Sequence, residues 1–390
     1  TWFASGGSGV TAFETDEGLV LIDSGMKASS QMLALQIRER TDAPVHTAVF
    51  THGHIDHAYG LSDFLLDAQN APTVIGHRDM PARFARYTRT TRHNRTINAR
   101  QFGGTDDTDI FEVDGETSAF HTPLIPPDTL YDDEMTVEVG GVRFELRHAR
   151  GETDDHTWVF CPDRGVLCPG DLVIWGVPNA GNPQKVQRYP WDWAAALRAM
   201  DECAATSLCP GHGGPIVDDA DTIHDLLSET ADFLDSIGDQ VIDALEAGTP
   251  PHVDIVRSIE VPASDSPWLQ PVYDEAEFIA RNVIRYYGGW YTGRPSELKP
   301  APRADVGAAL AAVAGGTEHL IAHMYRYAET DLRLACHLAD FALEAAPDDP
   351  HIQDAVADIY ERRAADEESL MATNLYRSAA AFARDGRPFR

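Results

Sequence analysis

The heptapeptide THGHIDH at residues 51–57 constrains the fold more than any other feature, because it places three imidazoles and one carboxylate within six residues. An apolar run ends directly before it, which predicts a buried strand that opens into a loop. His52 and His54 can then point to one metal ion, and Asp56 and His57 to a second. A chance run of solvated surface histidines is the alternative, but it does not explain why all four residues follow a strand.

Three further stretches carry an aspartate or a histidine that could bind or support a metal ion. Asp23 ends an apolar run, Asp171 follows Gly170, and His212 lies in a glycine-rich loop. In this order, the heptapeptide and these three stretches resemble the metallo-β-lactamase superfamily. The resemblance implies an αββα metallo-β-lactamase sandwich as the catalytic domain, over residues 1–218.

One position departs from the usual pattern of this superfamily. Most hydrolases of this fold carry a histidine where this chain has Glu152. Glutamate at this place is typical of one branch, the zinc-dependent alkylsulfatases, which this chain therefore resembles. The alternative is that Glu152 only supports the site and that His148 or His156 is the true ligand.

The resemblance also implies a complete set of metal ligands and their roles. One metal is expected at His52, His54 and Glu152, and a second at Asp56, His57 and His212, with Asp171 as the bridge. Two Zn²⁺ ions are expected, with Mn²⁺ or Fe²⁺ as alternatives for a site rich in carboxylates. Asp23 would orient a histidine ligand from behind, and a hydroxide bridging the metals would attack the substrate.

The loop after Asp171 is expected to hold the substrate, although it differs from the corresponding loop of well-known alkylsulfatases. The bridging acid differs as well, because those enzymes carry glutamate where this chain has Asp171. Candidate anion-binding residues are Asn179, Asn182, Lys185 and Arg188, because arginine suits oxyanion contacts. The alternative is an ordinary polar surface loop.

Further candidates concern the leaving group and the alkyl chain. His156 and Tyr131 are candidates for contact with the leaving alcohol, with a plain surface position as the alternative. Trp175, Trp191 and Trp193 are candidates for the wall of an alkyl channel, with a plain core role as the alternative.

The second half resembles the dimerisation domain of the same branch. Residues 282–295 resemble its opening stretch, and residues 337–349 continue in register with it. We therefore expect residues 219–390 to form a helical extension and an all-α dimerisation domain, and the protein to be a homodimer. Apolar periodicity predicts the following helices: 223–245, 278–287, 306–313, 318–328, 331–346, 352–364 and 367–384.

In the first half, strands and helices alternate, which indicates layers of helices on sheets. Residues 86–127 are polar with little apolar periodicity, so we expect a long insertion near the mouth of the site. The remaining predicted elements are a hairpin at 8–23, a helix at 31–39, and strands at 45–51, 135–139, 142–146, 157–161 and 165–168.

Composition limits partners and compartment. The net charge of −31 argues against the nucleases of this fold, since an acidic surface repels phosphate backbones. Five cysteines without a CxxC pair indicate buried thiols in a reducing compartment. No membrane-spanning run or signal peptide is apparent, so we expect a cytoplasmic protein, with a secreted or periplasmic one as the alternative if a leader was removed.

The sequence thus predicts a binuclear metal-dependent hydrolase that converts a small anionic ester, an alkyl sulfate, to alcohol and sulfate. A lactone, a thioester or another ester is the alternative substrate, because fold does not fix function. A flavodiiron-type redox enzyme is a rival class, but His54 stands where those proteins carry glutamate. A scaffold without catalysis is the other rival, but all seven expected ligands are present.

Overall fold

The computed structural model describes residues 1–66, 71–105, 120 and 123–389. The chain divides into two compact units. The first comprises Thr1–Thr91, Phe111–Thr249 and Val253–Gly288. The second comprises Arg92–Ile110, Pro250–His252 and Gly289–Arg390. The sequence-based boundary at residue 218 stays a prediction.

The first sheet of the first unit has six strands in chain order, β1 to β6. β1 to β3 pair antiparallel and β3 to β6 pair parallel, which confirms the predicted hairpin over residues 8–23. The strands are β1 Trp2–Gly6, β2 Ser8–Thr15, β3 Gly18–Ile22, β4 Val45–Val49, β5 Thr73–His77 and β6 Thr129–Tyr131.

The second sheet has five strands in the order β11-β10-β9-β8-β7. Gly140 and Gly141 both adopt positive φ, at 52° and 76°, and form the predicted hairpin between β7 and β8. Only β10 and β11 pair parallel, and their register shifts twice. The strands are β7 Glu134–Val139, β8 Val142–His148, β9 Thr157–Cys161, β10 Val166–Ile174 and β11 Ser207–His212.

Apolar side chains of both sheets pack face to face in the centre of the first unit. Phe13 of β2 meets Phe144 of β8 edge to face, with ring centroids 5.1 Å apart. Each fully buried side chain of this size contributes about 1.5–3 kcal/mol to the free energy of unfolding. Helices cover the outer faces of the two sheets, with separate apolar clusters beneath them. The predicted αββα sandwich is therefore confirmed.

The helices of the first unit are short, except for one of 27 residues that was predicted from its amphipathic pattern. They are α1 Ser30–Arg38, α2 Ile55–Ala58, α3 Met80–Arg89, α5 Pro190–Asp201, α6 Ala220–Glu246, α7 Asp254–Ser258 and α8 Ala276–Tyr287. Helices α3, α5 and α7 were not among the predicted elements.

The first part of the long insertion predicted at residues 86–127 is helical, which its sparse apolar pattern did not indicate. α3 runs to Arg89 and a further helix, α4, spans Thr91–Gln101. α4 buries the polar residues Thr91, Asn94 and Asn98. A hydropathy pattern predicts a helix from apolar residues at its buried positions, so this helix gives a weak signal. Residues 106–119 and 121–122 lie outside the described residues.

The second unit contains a set of helices around an alanine-rich core. The five helices predicted between residues 306 and 384 are confirmed. These helices, with the short one before them, are α9 Pro295–Leu298, α10 Arg303–Ala314, α11 Thr317–Ala328, α12 Leu332–Ala345, α13 Pro350–Ala365 and α14 Leu370–Arg384. Among the helices of the described ranges, none combines the length and apolar character that crossing a bilayer requires.

Trp193 belongs to the core, which is the alternative that the sequence analysis left open for it. Its side chain is fully buried on α5, and its indole N–H donates to the carbonyl of Leu172 at 2.8 Å. We expect Trp193→Ala to lower the free energy of unfolding by about 3–5 kcal/mol through the cavity it creates. Urea unfolding followed by far-UV circular dichroism measures this loss.

The control is Leu35→Ala, because Leu35 is 66% exposed on α1. We expect it to change the free energy of unfolding by no more than about 0.5 kcal/mol. Equal losses in Trp193→Ala and Leu35→Ala would contradict the packing described for α5.

Candidate metal centre

The heptapeptide lies at the end of β4, as predicted. The chain leaves the sheet after Val49, and α2 begins at Ile55, inside the motif. His54 precedes α2 in an extended conformation, while His57 lies within its single turn. This change from loop to helix directs the first two histidines and the following Asp-His pair towards different points.

The first group of potential ligands consists of His52, His54, Glu152 and Asp171. One ligand atom from each of the four lies within 4.8 Å of those of the others. His52 Nε2 and His54 Nδ1 face each other at 2.8 Å, and His54 Nδ1 lies 3.6 Å from Glu152 Oε1. Burial lowers the pKa of both histidines well below the usual value, which favours the neutral imidazole that binds metals.

The second group consists of Asp56, His57 and His212, again with ligand atoms within 4.8 Å of one another. His212 Nε2 lies 3.4 Å from Asp56 Oδ2. The side chains of His212 and Asp56 are 34% and 30% exposed, whereas that of His57 is fully buried. The second group therefore has an open side towards solvent.

Asp171 connects the two groups. Its Oδ1 lies 3.1 Å from His57 Nε2 and 3.4 Å from His212 Nε2, and its Oδ2 lies 3.7 Å from His52 Nε2. The residue lies within β10, where a Cβ at Gly211 of the neighbouring strand would collide with Oδ1. Glycine at that position therefore gives the carboxylate the space to face both groups.

The residues fit a pair of divalent cations. His57 Nε2 and Asp171 Oδ1 are buried and face each other at 3.1 Å, but among the described residues neither atom forms a hydrogen bond of ordinary geometry, which burial normally requires. Burial lowers the pKa of His57, but the carboxylates of Asp171, Asp56 and Asp23 outweigh it and raise the pKa well above its usual value. The same negative field would hold a cation, and imidazole with carboxylate suits Zn²⁺, Mn²⁺ and Fe²⁺.

Asp23 supports the second group from behind, at the end of β3. Its Oδ2 accepts from His57 Nδ1 at 2.8 Å and from the Thr51 hydroxyl at 2.8 Å, while its Oδ1 accepts from the Thr51 amide at 2.7 Å. Asp23 adopts a positive φ of 61°, which aspartate tolerates better than most residues. The bond to Nδ1 leaves Nε2 of His57 to face the centre.

A buried ion pair fixes the loop of the motif and was missed by the sequence analysis. Asp155 accepts from the Gly53 amide at 3.1 Å and from Arg83 Nε at 2.9 Å. A Cβ at Gly53 would lie 2.8 Å from Arg83 Cδ, so only glycine allows this close approach. Arg83 lies on α3, far from the motif in sequence, and no local pattern marks it.

Two of the predicted substrate residues lie beside the first group. Glu152 Oε1 accepts from Asn179 Nδ2 at 2.7 Å and pairs with Arg188 Nη1 at 2.8 Å. Burial raises the pKa of Glu152 to about 7, although Arg188 acts in the opposite direction. Arg188 is buried, and none of the described residues forms a hydrogen bond with its Nε.

The other two substrate candidates lie on the same loop. Asn182 Oδ1 accepts from the Gln184 amide at 3.1 Å and closes a turn. Lys185 is half-buried, and burial together with the charge of Arg188 lowers the pKa of its ammonium group to about 7. Both stay predictions as substrate contacts.

The remaining candidates have hydrogen bonds of their own. The Tyr131 hydroxyl donates to Thr157 Oγ1 at 2.6 Å, and His156 Nε2 donates to the Pro169 carbonyl at 3.0 Å. The ring of His156 stacks on His52, with centroids 4.6 Å apart. The roles predicted for Tyr131 and His156 with the leaving alcohol stay predictions.

The two histidines that competed with Glu152 as ligands both lie outside the two ligand groups. His148 Nδ1 donates to the His156 carbonyl at 2.9 Å, and its ring stacks on His77 at 3.8 Å. Among the described residues, the geometry therefore favours Glu152 over His148 and His156 as the ligand.

The segment before α8 also reaches the site and was missed by the sequence analysis. Asp274 is fully buried and accepts from the amides of Gly181 and Glu275 at 2.7 Å and 2.8 Å. Burial raises the pKa of Asp274 to about 8, although these two amides act in the opposite direction. Gly181 belongs to the loop that carries Asn179.

Two family models match the chain. The model of the metallo-beta-lactamase superfamily matches residues 6–212, more than half of the 390 residues. The chain therefore belongs to the metallo-beta-lactamase superfamily. The model described as alkyl sulfatase dimerisation matches residues 252–386.

Within this superfamily, the chain is homologous to alkylsulfatases. It is 25% identical over 367 residues to a linear primary-alkylsulfatase of Pseudomonas sp. (strain ATCC 19151). This alignment covers 90% of this chain and 69% of the relative. It is 24% identical over 404 residues to an (R)-specific secondary-alkylsulfatase of Pseudomonas sp., with 97% and 60% covered. The chain thus spans 60 to 69% of the length of these two relatives.

A solved structure shares the fold over nearly the whole chain. It is that of a stereoselective inverting sec-alkylsulfatase from Pseudomonas sp., with a TM-score of 0.85 and 22% identity. The match covers 98% of this chain and 63% of the other. This likeness confirms the order of a metallo-β-lactamase fold followed by helices.

Asp23→Asn tests the support of the second ligand group. We expect the affinity for one of the two metals to fall by about 10- to 100-fold, because the amide no longer fixes the orientation of His57. Equilibrium dialysis with elemental analysis measures this affinity. A variant that binds both metals as tightly as the wild type would contradict the role of Asp23.

Asp274→Asn tests the buried carboxyl group. Its pKa is raised from 3.8 to about 8, so the folded chain holds this proton more strongly than the unfolded chain does. The contribution of Asp274 to the free energy of unfolding should therefore be largest below the lower value and fall as pH rises to the upper one, by up to about 1.4 kcal/mol per pH unit.

The measurement is urea unfolding of both proteins across this pH range. In Asp274→Asn, this contribution to the pH dependence should be absent, because the amide does not titrate. Parallel curves for variant and wild type would contradict the raised pKa of Asp274.

Proposed function

We propose that the protein is a binuclear metal-dependent hydrolase that cleaves alkyl sulfate esters to an alcohol and sulfate. The observation that carries the proposal is the position of Arg188. Its buried guanidinium contacts Glu152 in the first ligand group, and its Nε–H has no partner within the part of the chain that the structure describes. A planar guanidinium with a spare donor suits a tetrahedral oxyanion next to a metal.

The charges of the site support an anionic substrate. Two divalent cations, the carboxylates of Asp56, Glu152 and Asp171 and a bridging hydroxide would form a neutral core, so the cations beside it would set the preference for an anion. Arg188 adds a permanent charge beside them, and Lys185 lies near Arg188 and Glu152. Sulfate esters carry one negative charge, so the site would attract them despite the acidic surface of the protein.

The residues divide the chemistry between them. The metal pair, proposed to be two Zn²⁺ ions, lowers the pKa of a water and stabilises developing negative charge when bound. One ion would be held by His52, His54 and Glu152, and the other by Asp56, His57 and His212. Asp171 would help to hold both ions. Arg188 and Asn179 would orient the sulfate group from the side of Glu152. This placement fixes the ester before its bond breaks.

The homology to alkylsulfatases points to the same function. The match of residues 252–386 to the model of alkyl sulfatase dimerisation supports a homodimer. We propose a homodimer as the working assembly.

Release of inorganic sulfate from a panel of primary and secondary alkyl sulfates tests the function. We expect release by the metal-loaded protein and none by the His54→Ala variant, which loses a ligand of the first group. Absence of release from a protein that binds two metals per chain would contradict the proposal, and hydrolysis of lactones or thioesters would then identify another ester substrate.

Arg188→Ala tests the anion site. We expect KM for an alkyl sulfate to rise about 10- to 100-fold, because a hydrogen-bonded charge at the substrate is lost, while two metals stay bound. Arg188→Lys should recover only part of the loss, since lysine lacks the planar pair of donors. Steady-state kinetics with metal analysis measures both effects, and a parallel loss of metal and of substrate binding would contradict the assignment.

A further inference from the structure

The loop that carries the proposed anion site has no regular secondary structure of its own. It joins the end of β10 at Ile174 to the start of α5 at Pro190, and it includes Asn179, Lys185 and Arg188. Most of these residues are nevertheless buried. Something other than helix or sheet bonding must fix their positions, since polar groups in a buried loop require partners.

The first half of the loop is held by the segment that precedes α8. The Val177 amide donates to the Gln270 carbonyl at 2.9 Å, and the Gly181 amide donates to Asp274 Oδ2 at 2.7 Å. A Cβ at Gly181 would collide with the backbone of Phe278. The contact is thus close enough to require glycine in the loop.

The second half is held by α8 itself. The buried side chain of Asn282 pairs with the backbone of Arg188 in both directions. Its Oδ1 accepts from the Arg188 amide at 3.3 Å, and its Nδ2 donates to the Arg188 carbonyl at 3.0 Å. Gln187 Nε2 also donates to Asn282 Oδ1 at 3.1 Å. Asn282 therefore fixes the backbone from which the guanidinium of Arg188 extends to Glu152.

A third contact continues this pattern one turn further along α8. Arg285 Nε donates to Gln187 Oε1 at 3.1 Å, and its Nη1 donates to the Lys185 carbonyl at 3.1 Å. Three side chains of residues 274–285 thus bind the loop at Gly181, at Arg188 and at Lys185. All of these residues belong to the first compact unit.

We propose that Asn282, with Asp274, is a positioning residue of the anion site, so that α8 serves substrate binding although it lies in the region matched by a dimerisation model. The proposal rests on the proposed function, in which Arg188 binds the sulfate group. It adds that the position of the Arg188 guanidinium depends on α8. This helix lies outside residues 6–212, the part of the chain that the metallo-beta-lactamase model matches.

The test compares Asn282→Ala with Arg281→Ala in the full-length, metal-loaded protein. Arg281 is the neighbouring residue on the same helix, and its side chain forms an exposed pair with Glu277 at 2.9 Å. Three quantities are measured for each variant: KM and kcat for an alkyl sulfate, the Kd of inorganic sulfate by calorimetry, and metals per chain.

In Asn282→Ala we expect KM and the sulfate Kd to rise about tenfold or more, with kcat within about threefold of the wild type and two metals retained. Arg281→Ala should match the wild type in all of these quantities. A sulfate Kd within twofold of the wild type in Asn282→Ala would overturn the proposal. A loss of metal in parallel with the loss of sulfate binding would also overturn it, because the role would then be structural.

Hydrogen–deuterium exchange separates this proposal from the proposed function. If the wild type releases no sulfate from any alkyl sulfate, the proposed function fails, but the exchange rates still report on the loop. Faster exchange of the amides of residues 176–189 in Asn282→Ala than in Arg281→Ala supports the positioning role. Equal exchange in the two variants overturns it.

Discussion

The rest of the site depends on one carboxylate, that of Asp171, which lies close to both ligand groups. Its two oxygens face His52 on one side and His57 and His212 on the other. The carboxylate reaches this position because β10 and β11 run parallel with a shifted register and because Gly211 leaves room beside it. The two-sheet architecture thus brings ligands from distant parts of the chain to one point.

The candidate ligands could be picked out from the sequence because each follows or lies within a strand whose pattern is local. The heptapeptide and the stretches at Asp23, Asp171 and His212 combine an apolar run with a turn, and such signals need no knowledge of the fold. The layered fold followed from the alternation of strands and helices together with the resemblance. The structure adds which carboxylate oxygen lies opposite which imidazole nitrogen.

The supporting contacts could not be predicted, because they join residues far apart in sequence and leave no periodic pattern. Arg83 bonds to Asp155 across 72 positions, and Asn282 bonds to Arg188 across 94. α4 was missed for a related reason, since it buries amide side chains where apolar ones are expected. Asn282 lies in a stretch that resembles the dimerisation domain, and nothing in the sequence of that stretch connects it to the loop after Asp171.

The site therefore consists of a candidate metal centre built by the two sheets and a proposed anion site built by a loop that rests on α8. The metal centre would account for hydrolysis as a class, and the anion site would select the ester. A change of substrate within this fold could then come from α8 as much as from the loop itself, without any change in the metal ligands.

The most direct test of the central claim is a crystal structure of the metal-loaded protein, with anomalous scattering recorded at the absorption edge of the bound metal. The account predicts two anomalous peaks, with oxygens of Asp171 within coordination distance of both and Glu152 bound to the one held by His52 and His54. A single peak, or two peaks of which only one is coordinated by Asp171, would contradict it.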